Sequence, residues 1–328
     1  MSGIARRLLQ AALLTAAGIA VVTGAGCALR PPSPDTFSFA VMGDTPYNDR
    51  EEQLMLGMIG EIDGQDVAFV VHIGDIKAGG NSPCTDELFQ RRRTQFDASA
   101  HPFLLVPGDN DWTDCRRASN GSMNPLERLS KMREVFYPLG ETLGKKRLAV
   151  GELRECVQRE GIVCRCPGYP ENRYWTDARG ATFVTQNIQG SNNNSGFDEA
   201  SNRELRCRNL ANRLALEKAA TQMTERGSAG LVIFLHADPF VESKDGAYSE
   251  LLADLERIAA RVVKPVLVVH GDTHVYRLDK PFKDAAGRPL SNVTRLETFG
   301  SPQVGWVRVT VDRADPAVFR IAPGNLLQ

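Results

Sequence analysis

Residues 103–112 read FLLVPGDNDW, and this stretch indicates how the chain is organised. Its first four residues are apolar, a Pro-Gly pair interrupts them, and Asp109, Asn110 and Asp111 follow directly. A short apolar run with a turn at its end is typical of a buried strand. The stretch therefore predicts a strand that places carboxylates at one edge of a β-sheet.

Four other apolar runs end in the same way. They read FSFAVMGD, VAFVVHIGD, GLVIFLHAD and PVLVVHGDTH, and segments typical of helices alternate with them. This alternation predicts an α/β fold in which helices cover the sheets and the loops at the carboxyl ends of the strands form the site. The acidic and histidine side chains at the five strand ends are Asp44, Asp75, Asp109, His236, Asp272 and His274.

Carboxylates gathered at one edge repel one another unless their charge is balanced. An unpaired buried carboxylate is costly, so a bound cation is the natural counter-charge. Oxygen-rich ligation favours hard ions, which here means Mn, Fe, Mg or Ca in preference to Zn. The sequence therefore predicts that one or two divalent metal ions bind at this edge.

Local signals predict several element boundaries. Asp49 and Glu52 are arranged as a capping box at the start of a helix, and Asn124 before Pro125 marks a second helix start. A long helix is expected from about residue 202 to 226. The last three apolar segments alternate like antiparallel strands.

The composition bounds the class of protein. The chain has 328 residues and a formal net charge of −1, which gives no support to nucleic-acid binding. Residues 1–27 have the basic, apolar and small-residue sections of a bacterial secretory signal, and a Pro-rich spacer covers 28–36. Residues 37–328 are predicted to form one domain, with a Cys-rich insertion around 140–172.

Export to the bacterial periplasm, or attachment to a membrane as a lipoprotein, is the predicted localisation. Gly26 and Cys27 resemble the end of a lipobox, which would make Cys27 the lipidated first residue; cleavage and a retained single-span anchor are the alternatives. Six cysteines follow, an even number that predicts up to three disulfides. Cys84 and Cys115 are the first expected pair because each lies soon after an acidic loop. The segment CVQREGIVCRC has a zinc knuckle as its alternative, although it offers no histidine.

The five strand ends together resemble the calcineurin-like metallophosphoesterase family. That family carries the blocks D-x-H, G-D, G-N-H-[DE], a lone histidine after a strand, and G-H-x-H. This chain has GDTPY, HIGDI, GDND, FLHAD and GDTH in the same order between residues 44 and 274. The resemblance implies a sandwich of two mixed β-sheets flanked by helices, with two divalent ions bridged by an aspartate and by water or hydroxide.

Four residues match ligands of that family directly. Asp44 corresponds to the first ligand and Asp75 to the bridging aspartate. His236 corresponds to the lone histidine, and His274 to the last histidine of the fifth block.

Other positions depart from the family pattern. Asp109 and Asp272 replace an asparagine and a histidine ligand, and a carboxylate can serve in both places. Pro46 replaces a histidine ligand, so a mononuclear site is one alternative. Tyr47 is the nearest side chain that could compensate, unless its ring packs over the turn. Asn110 replaces the histidine that assists the leaving group.

The resemblance implies a metal-dependent hydrolase of phosphate monoesters or diesters, with a phosphorylated small molecule as substrate. Asn110 and Asp111 are the predicted catalytic residues, and Asn110, Lys77, Arg116 and Asn192 are predicted to contact the substrate. Without a histidine to protonate a poor leaving group, diesters or activated esters are favoured over alkyl monoesters.

Two other functions stay open. Loss of the two histidines nearest the chemistry suggests a catalytically lapsed, exported metal- or partner-binding protein on the same fold. The segments GDT, GDND and GDTH also faintly resemble the blocks of GDSL-type esterases, with Thr45 as the nucleophile. That third function leaves Asp75 and His236 unexplained.

Overall fold

The computed structural model describes residues 35–154, 158–159, 162–164, 168–241 and 244–327. Cys27, Cys156 and Cys166 lie outside the described residues, as does the predicted secretory signal, so lipidation and the remaining cysteine pairing stay predictions. A search of the described part of the chain finds no helix with the length and apolar character of a membrane span.

Two mixed β-sheets form the centre of the structure. Strands β5 and β6 form a separate hairpin, and all the other strands belong to one of the two sheets. In chain order the strands are β1 (Thr36–Met42), β2 (Val70–His72), β3 (Phe103–Leu105), β4 (Gly151–Leu153), β5 (Gln158–Arg159), β6 (Ile162–Val163), β7 (Tyr169–Asp177), β8 (Ala181–Thr185), β9 (Gly230–Phe234), β10 (Val266–His270), β11 (Arg277–Asp279), β12 (Val293–Glu297), β13 (Val304–Asp312) and β14 (Phe319–Leu327). The first sheet has the order β14-β13-β1-β2-β3, and the second has the order β11-β12-β10-β9-β8-β7-β4.

Helices cover the outer face of each sheet, which confirms the predicted α/β class. They are α1 (Asp49–Asp63), α2 (Asp86–Asp97), α3 (Pro125–Phe136), α4 (Glu199–Arg226) and α5 (Ser249–Val262). Apolar side chains of α1, α2 and α3 pack on the first sheet, and those of α4 and α5 pack on the second. Short 3₁₀ turns at Thr113–Arg116 and Ala118–Asn120 follow β3.

An aromatic layer joins the two sheets face to face. Phe39 and Phe69 stack with ring centroids 5.0 Å apart, and Phe183 contacts Phe69 edge-on at 5.0 Å. Trp175 stacks on Phe183 at 5.0 Å, and each of these four side chains is at most 4% exposed. Buried aromatic pairs of this kind fix the position of one sheet on the other.

The strand directions bring the polar loops together. β1, β2 and β3 run parallel in the first sheet, and β8, β9, β10 and β12 run parallel in the second. Three of the five predicted strand ends therefore belong to one sheet and two to the other. Since the sheets pack face to face, the two edges meet and form one site.

The predicted capping box of α1 was wrong by one residue. Asn48 is the N-cap, and its side-chain oxygen accepts a hydrogen bond from the Glu51 N–H at 3.0 Å. Asp49 and Glu52 both lie inside the helix. Asn48 has extended backbone, which suits a cap, and this conformation rather than the spacing of acidic residues determines where the helix begins.

Two further predictions needed correction. Helix α4 begins at Glu199, three residues before the predicted start, because Asp198 caps it by accepting from the Ser201 N–H. β12 pairs in parallel with β10 as well as antiparallel with β11, whereas β13 and β14 are antiparallel as predicted. The cap at Asn124 and the first-turn position of Pro125 are confirmed.

Two disulfides occur among the described residues. Cys84 is bonded to Cys115, the pair named first from the sequence, with Cα atoms 5.7 Å apart. Cys84 Sγ lies 3.7 Å from the carbonyl oxygen of Asn110, so this bridge supports the loop after β3. Cys164 is bonded to Cys207 and ties the irregular segment around 140–172 to helix α4.

Replacing Cys84 and Cys115 with serine should lower the free energy of unfolding by about 3 kcal/mol, because the bridge closes a loop between residues 31 positions apart. Chemical denaturation measures the change. The C164S/C207S variant is the matched control, since it keeps the first bridge and should still lose stability when a reductant is added. An unchanged unfolding midpoint in C84S/C115S would contradict the assignment.

Candidate metal centre

Four of the six predicted ligands lie on strained backbone at the strand ends. Asp44, Asp75, Asp272 and His274 have positive φ angles of 51°, 58°, 78° and 62°. Left-handed backbone costs a non-glycine residue on the order of 1–3 kcal/mol and is concentrated at functional sites. The fold therefore holds these side chains in place at a cost in stability.

One group of ligands surrounds His236. The Nε2 atom of His236 lies 3.2 Å from Asp109 Oδ1, 3.4 Å from Asp75 Oδ1 and 3.5 Å from Asp272 Oδ1. The other ring nitrogen, Nδ1, donates to the Ile73 carbonyl oxygen at 2.7 Å, which directs Nε2 toward the carboxylates. We call Asp75, Asp109, His236 and Asp272 the His236 set.

A second group lies beside it. His274 Nε2 is 3.6 Å from Asp44 Oδ1, and His274 Nδ1 donates to the Ser301 carbonyl oxygen at 2.7 Å. Asp44 Oδ1 also accepts from the Asp272 N–H at 3.0 Å, whereas Asp44 Oδ2 is buried and has no hydrogen-bond partner among the described residues. We call Asp44, Asp75 and His274 the Asp44 set.

Asp75 belongs to both sets. Its Oδ1 faces His236 and accepts from the Asn110 N–H at 3.1 Å. Its Oδ2 accepts from the Tyr47 hydroxyl at 2.8 Å and from the side-chain amide of Asn110. An oxygen of Asp75 also lies within 4.8 Å of an oxygen of Asp44, so this side chain reaches both sets, as a bridging ligand must.

Two glycines allow the loops to approach this closely. A Cβ atom on Gly108 would lie 2.2 Å from Asp75 Oδ1, and one on Gly271 would lie 2.1 Å from Asp44 Oδ2. Both distances are far shorter than any non-bonded contact. The Gly-Asp pairs at the strand ends thus have a steric role as well as a chemical one.

The electrostatics of the site indicate excess negative charge. Burial raises the pKa of Asp44 to about 8 and raises the pKa of Asp75 well above its usual range. Burial alone would lower the pKa of His236, but the surrounding carboxylates, Asp75 foremost, raise it well above its usual value. Protons therefore balance part of the negative charge, and a divalent ion can replace them.

The residues present fit a divalent cation. Asp44 Oδ2 is a buried carboxylate oxygen without a partner in the described chain, and both histidines have Nδ1 anchored to a carbonyl and Nε2 directed at carboxylates. The described residue groups able to hold an ion include Asp44 with Asp75 and His236, and Asp109 with His236 and Asp272. Carboxylate-rich groups of this kind suit hard ions.

A third acidic group behind the site is already neutralised. Asp238 Oδ2 forms ion pairs of 3.1 Å with Arg277 and with Arg295. The Asp238 N–H donates to Asp272 Oδ2 at 3.2 Å, so this group supports a ligand instead of binding an ion. Its members are Asp238, His270 and Glu297.

Asp111 and Lys77 lie within the fold beside the ligands. The two carboxylate oxygens of Asp111 accept from the backbone N–H groups of Asp75, Ile76 and Gly108 at 2.8 to 3.0 Å. These bonds tie the second loop to the third, and the catalytic role of Asp111 stays a prediction. Lys77 is 1% exposed, and its ammonium donates to the carbonyl of Ala78 at 2.8 Å, so its predicted contact with substrate stays a prediction.

An unusual turn covers the site. Ser191, Asn192, Asn193 and Asn194 have consecutive positive φ angles of 48°, 53°, 54° and 62°. Asparagine tolerates this conformation better than most residues, which explains the composition of the segment. The Ser191 hydroxyl lies 2.7 Å from Asp109 Oδ2, so the turn contacts the His236 set directly.

Arg116 and Asn192, two of the predicted substrate contacts, differ in their hydrogen-bond partners. Arg116 donates to Asn194 Oδ1 at 3.3 Å, and its guanidinium lies 3.0 Å from the centre of the Phe197 ring. Arg116 is therefore held at the covering turn. Asn192 uses its side-chain oxygen to accept from the Lys244 N–H at 3.1 Å, and its predicted contact with substrate stays a prediction.

Several supporting residues were not among the predicted site residues. His72 accepts from the Gly74 N–H through Nδ1 at 3.2 Å and donates through Nε2 to the Thr45 carbonyl at 2.9 Å, which fixes the first loop. Burial lowers the pKa of His72 to about 3, so the ring stays neutral.

Asp238 lies two residues after His236 in FLHAD, a spacing that could have drawn attention to it. The predicted substrate contact at Asn192 lies in the same loop as Ser191, and the structure adds the contact of Ser191 with Asp109.

The sequence of this chain matches a known family, and its fold is similar to that of solved structures. Residues 37–276 match the sequence profile of the calcineurin-like phosphoesterase family. No curated protein sequence matches the chain. The fold is similar to that of a dimetal phosphatase from Danio rerio, with 13% identity, a TM-score of 0.48, and coverage of 88% of this chain and 98% of that chain.

Two proteins of the Vps29 type are also similar. A single mutant of Vps29 from Entamoeba histolytica shows 9% identity and a TM-score of 0.29, covering 89% of this chain and 100% of that chain. Vacuolar protein sorting 29 from Cryptosporidium parvum shows 8% identity and a TM-score of 0.28, covering 88% and 97%. All three TM-scores are below 0.5, so these similarities carry no argument about function.

Alanine at Gly108 should displace Asp75, since the added carbon would lie 2.2 Å from its Oδ1. We expect G108A to weaken Mn²⁺ binding at least about tenfold, by the cost of disturbing a metal site, and to lose about 1–3 kcal/mol of stability. Titration calorimetry and denaturation measure the two effects. G57A is the matched control, because nothing lies within 4 Å of the added carbon there. Equal Mn²⁺ affinity in both variants would contradict the steric role.

Proposed function

The chain belongs to the calcineurin-like phosphoesterase family, and on this basis we propose that it is a metal-dependent hydrolase of phosphate esters. The observation that carries the proposal is the placement of Asp75, whose Oδ1 lies 3.4 Å from His236 Nε2 and whose carboxylate has an oxygen within 4.8 Å of Asp44. This arrangement supports a pair of ions that share one carboxylate.

The chemistry divides between the ions and the protein. A bound divalent ion supplies Lewis acidity, which polarises a phosphoryl oxygen and makes water acidic enough to attack phosphorus near neutral pH. The protein holds the ligands rigidly: His236 and His274 through bonds from Nδ1 to carbonyl oxygens, and Asp75 through the N–H of Asn110. Such preorganisation reduces the cost of forming the transition state.

The charge of the site supports a substrate with little negative charge. The four carboxylates of Asp44, Asp75, Asp109 and Asp272 nominally balance two divalent ions, which leaves weak attraction for a dianionic monoester. A diester carries a single charge at phosphorus and suits such a site better. Arg116 and Arg117 stand at the covering turn and are the cations that we propose to meet substrate oxygens.

The leaving group is the second constraint on the substrate. Asn110 occupies the position of the family histidine, and its amide donates to Asp75 and to the Tyr47 hydroxyl at 3.2 Å. A carboxamide orients groups but does not deliver a proton, so the leaving group must depart without strong acid assistance. We propose phosphodiesters or activated esters of small molecules as the substrate class.

The proposed location is outside the cytoplasm of a bacterium, in the periplasm or attached to a membrane through the N-terminal segment. The bridges Cys84–Cys115 and Cys164–Cys207 support an oxidising compartment, where disulfides persist.

Hydrolysis of bis-p-nitrophenyl phosphate by the metal-stripped protein should appear when Mn²⁺, Fe²⁺, Mg²⁺ or Ca²⁺ is restored, and should exceed hydrolysis of p-nitrophenyl phosphate. We expect D75A to lower the rate by more than about a hundredfold, because both ions lose a shared ligand. D66A is the control, since Asp66 is exposed and precedes the start of β2, whereas Asp75 follows its end.

Two outcomes would contradict this proposal. Silence with every ion and both substrates would favour the catalytically lapsed alternative. Loss of activity in T45A with retention in D75A would favour the GDSL-type esterase. The Thr45 hydroxyl is buried and has no hydrogen-bond partner among the described residues, so no base is placed to activate it. We therefore expect T45A to retain activity.

A further inference from the structure

Asn110 contacts the ligand loops through only one end of its side-chain amide. The nitrogen donates to Asp75 Oδ2 and, at 3.2 Å, to the Tyr47 hydroxyl. In the described part of the chain, no donor lies within hydrogen-bond distance of the amide oxygen, Oδ1. We propose that Asn110 Oδ1 accepts a hydrogen bond from the substrate, and that the substrates are phosphodiesters whose ester groups carry a free hydroxyl, as esters of polyols or sugars do. This inference rests on the proposed function, because it describes the ester groups of that substrate.

The partners of the amide determine which way it is turned. A carboxylate that binds a metal ion carries no proton, so Asp75 accepts hydrogen bonds and cannot donate them. The Tyr47 hydroxyl donates to the same Asp75 oxygen at 2.8 Å, which leaves the phenol oxygen as the acceptor for Asn110. Both partners of the amide are therefore acceptors, and the nitrogen must face them. What Asn110 offers to a further group is an acceptor oxygen.

The backbone holds Asn110 in this position. Its N–H donates to Asp75 Oδ1 at 3.1 Å, and its carbonyl oxygen lies 3.7 Å from Cys84 Sγ and 3.9 Å from Cys115 Sγ. The residue is 7% exposed, so the side chain has little room to turn. An acceptor that is already fixed in place loses little conformational entropy when a ligand binds to it.

A glycine in the loop after β2 keeps this oxygen uncovered. A Cβ atom on Gly79 would lie 2.5 Å from Asn110 Oδ1, which is shorter than any non-bonded contact. The Gly79 carbonyl oxygen accepts from the Arg117 guanidinium at 2.8 Å and from the Asn120 side-chain amide at 2.9 Å, so the loop is fixed here. Any side chain at position 79 would therefore press on Oδ1 and cover it.

Arg117 places a positive charge beside the same space. Its Nη1 would lie 3.2 Å from the Cβ position of Gly79, and its Nη2 is 2.7 Å from Asp114 Oδ2 and 3.5 Å from the Ser191 hydroxyl of the covering turn. The Arg117 side chain is 47% exposed, so the guanidinium stays accessible to a ligand. A donor and an acceptor side by side match a phosphoryl oxygen and a nearby hydroxyl. Arg117 donates to the first, and Asn110 accepts from the second.

The test uses bis(3-hydroxypropyl) phosphate and dibutyl phosphate, which differ only by a hydroxyl in place of each terminal methyl group. Their leaving groups are poor, so both serve as ligands during a titration. Calorimetric titration of the Mn²⁺-loaded protein gives the ratio of the two dissociation constants. We expect this ratio to favour the hydroxylated diester about three- to tenfold more in wild type than in N110A, the effect of one hydrogen bond. G79A should lose the preference too, because its methyl group covers Oδ1. G80A is the matched control, since the added carbon there lies 3.8 Å from its nearest neighbour.

The outcomes separate this inference from the proposed function. A preference that is lost in N110A and in G79A and kept in G80A supports the role of Asn110. The same ratio in wild type and N110A, with bis-p-nitrophenyl phosphate still hydrolysed by wild type, would overturn that role and leave the hydrolase standing. A merely structural effect of N110A weakens both diesters equally and therefore gives this second result. Failure of wild type to bind either diester and to hydrolyse bis-p-nitrophenyl phosphate with every ion would overturn both.

Discussion

The negative charge of four carboxylates, enclosed where two sheets meet, is the constraint on which the rest of the site depends. Asp44, Asp75, Asp109 and Asp272 converge on two histidines, and burial raises the pKa of Asp44 to about 8. Such a cluster is costly without cations. The surrounding structure holds the carboxylates in positions where cations can bind.

The fold holds these carboxylates in place in two ways, by packing between the sheets and by hydrogen bonds within the loops. The stacked rings of Phe39, Phe69, Phe183 and Trp175 fix one sheet on the other, so the strand ends keep their spacing. Hydrogen bonds then fix each loop, with Asp111 alone accepting three backbone N–H groups. The left-handed backbone at the ligands persists because the core and these bonds leave it no alternative.

The sequence predicted those parts of the site that depend on short-range pattern. An apolar run followed by Gly-Asp predicts a strand with an acidic side chain at its end, and Asp44, Asp75 and Asp109 do follow β1, β2 and β3. His236 and His274, the candidate ligand histidines after β9 and β10, followed from the same pattern. Strand direction was less accessible: β12 joins β10 in parallel because the chain crosses over, which alternation of residues does not reveal.

The individual hydrogen bonds between distant loops could not be predicted. The left-handed turn at residues 191–194 meets Asp109 from 82 positions away, and Asp238 supports Asp272 from 34 positions away. The position of the Tyr47 side chain could not be predicted either, because it depends on where helix α1 begins. The N-cap of that helix lies one residue before the predicted one. Each of these features depends on where two separate segments meet in space.

Anomalous diffraction from crystals grown with Mn²⁺ tests the central claim most directly, because it locates ions without reference to activity. The account predicts two peaks about 3.5–4 Å apart, one on each side of the Asp75 carboxylate. Absence of any peak within bonding distance of Asp75 would contradict it.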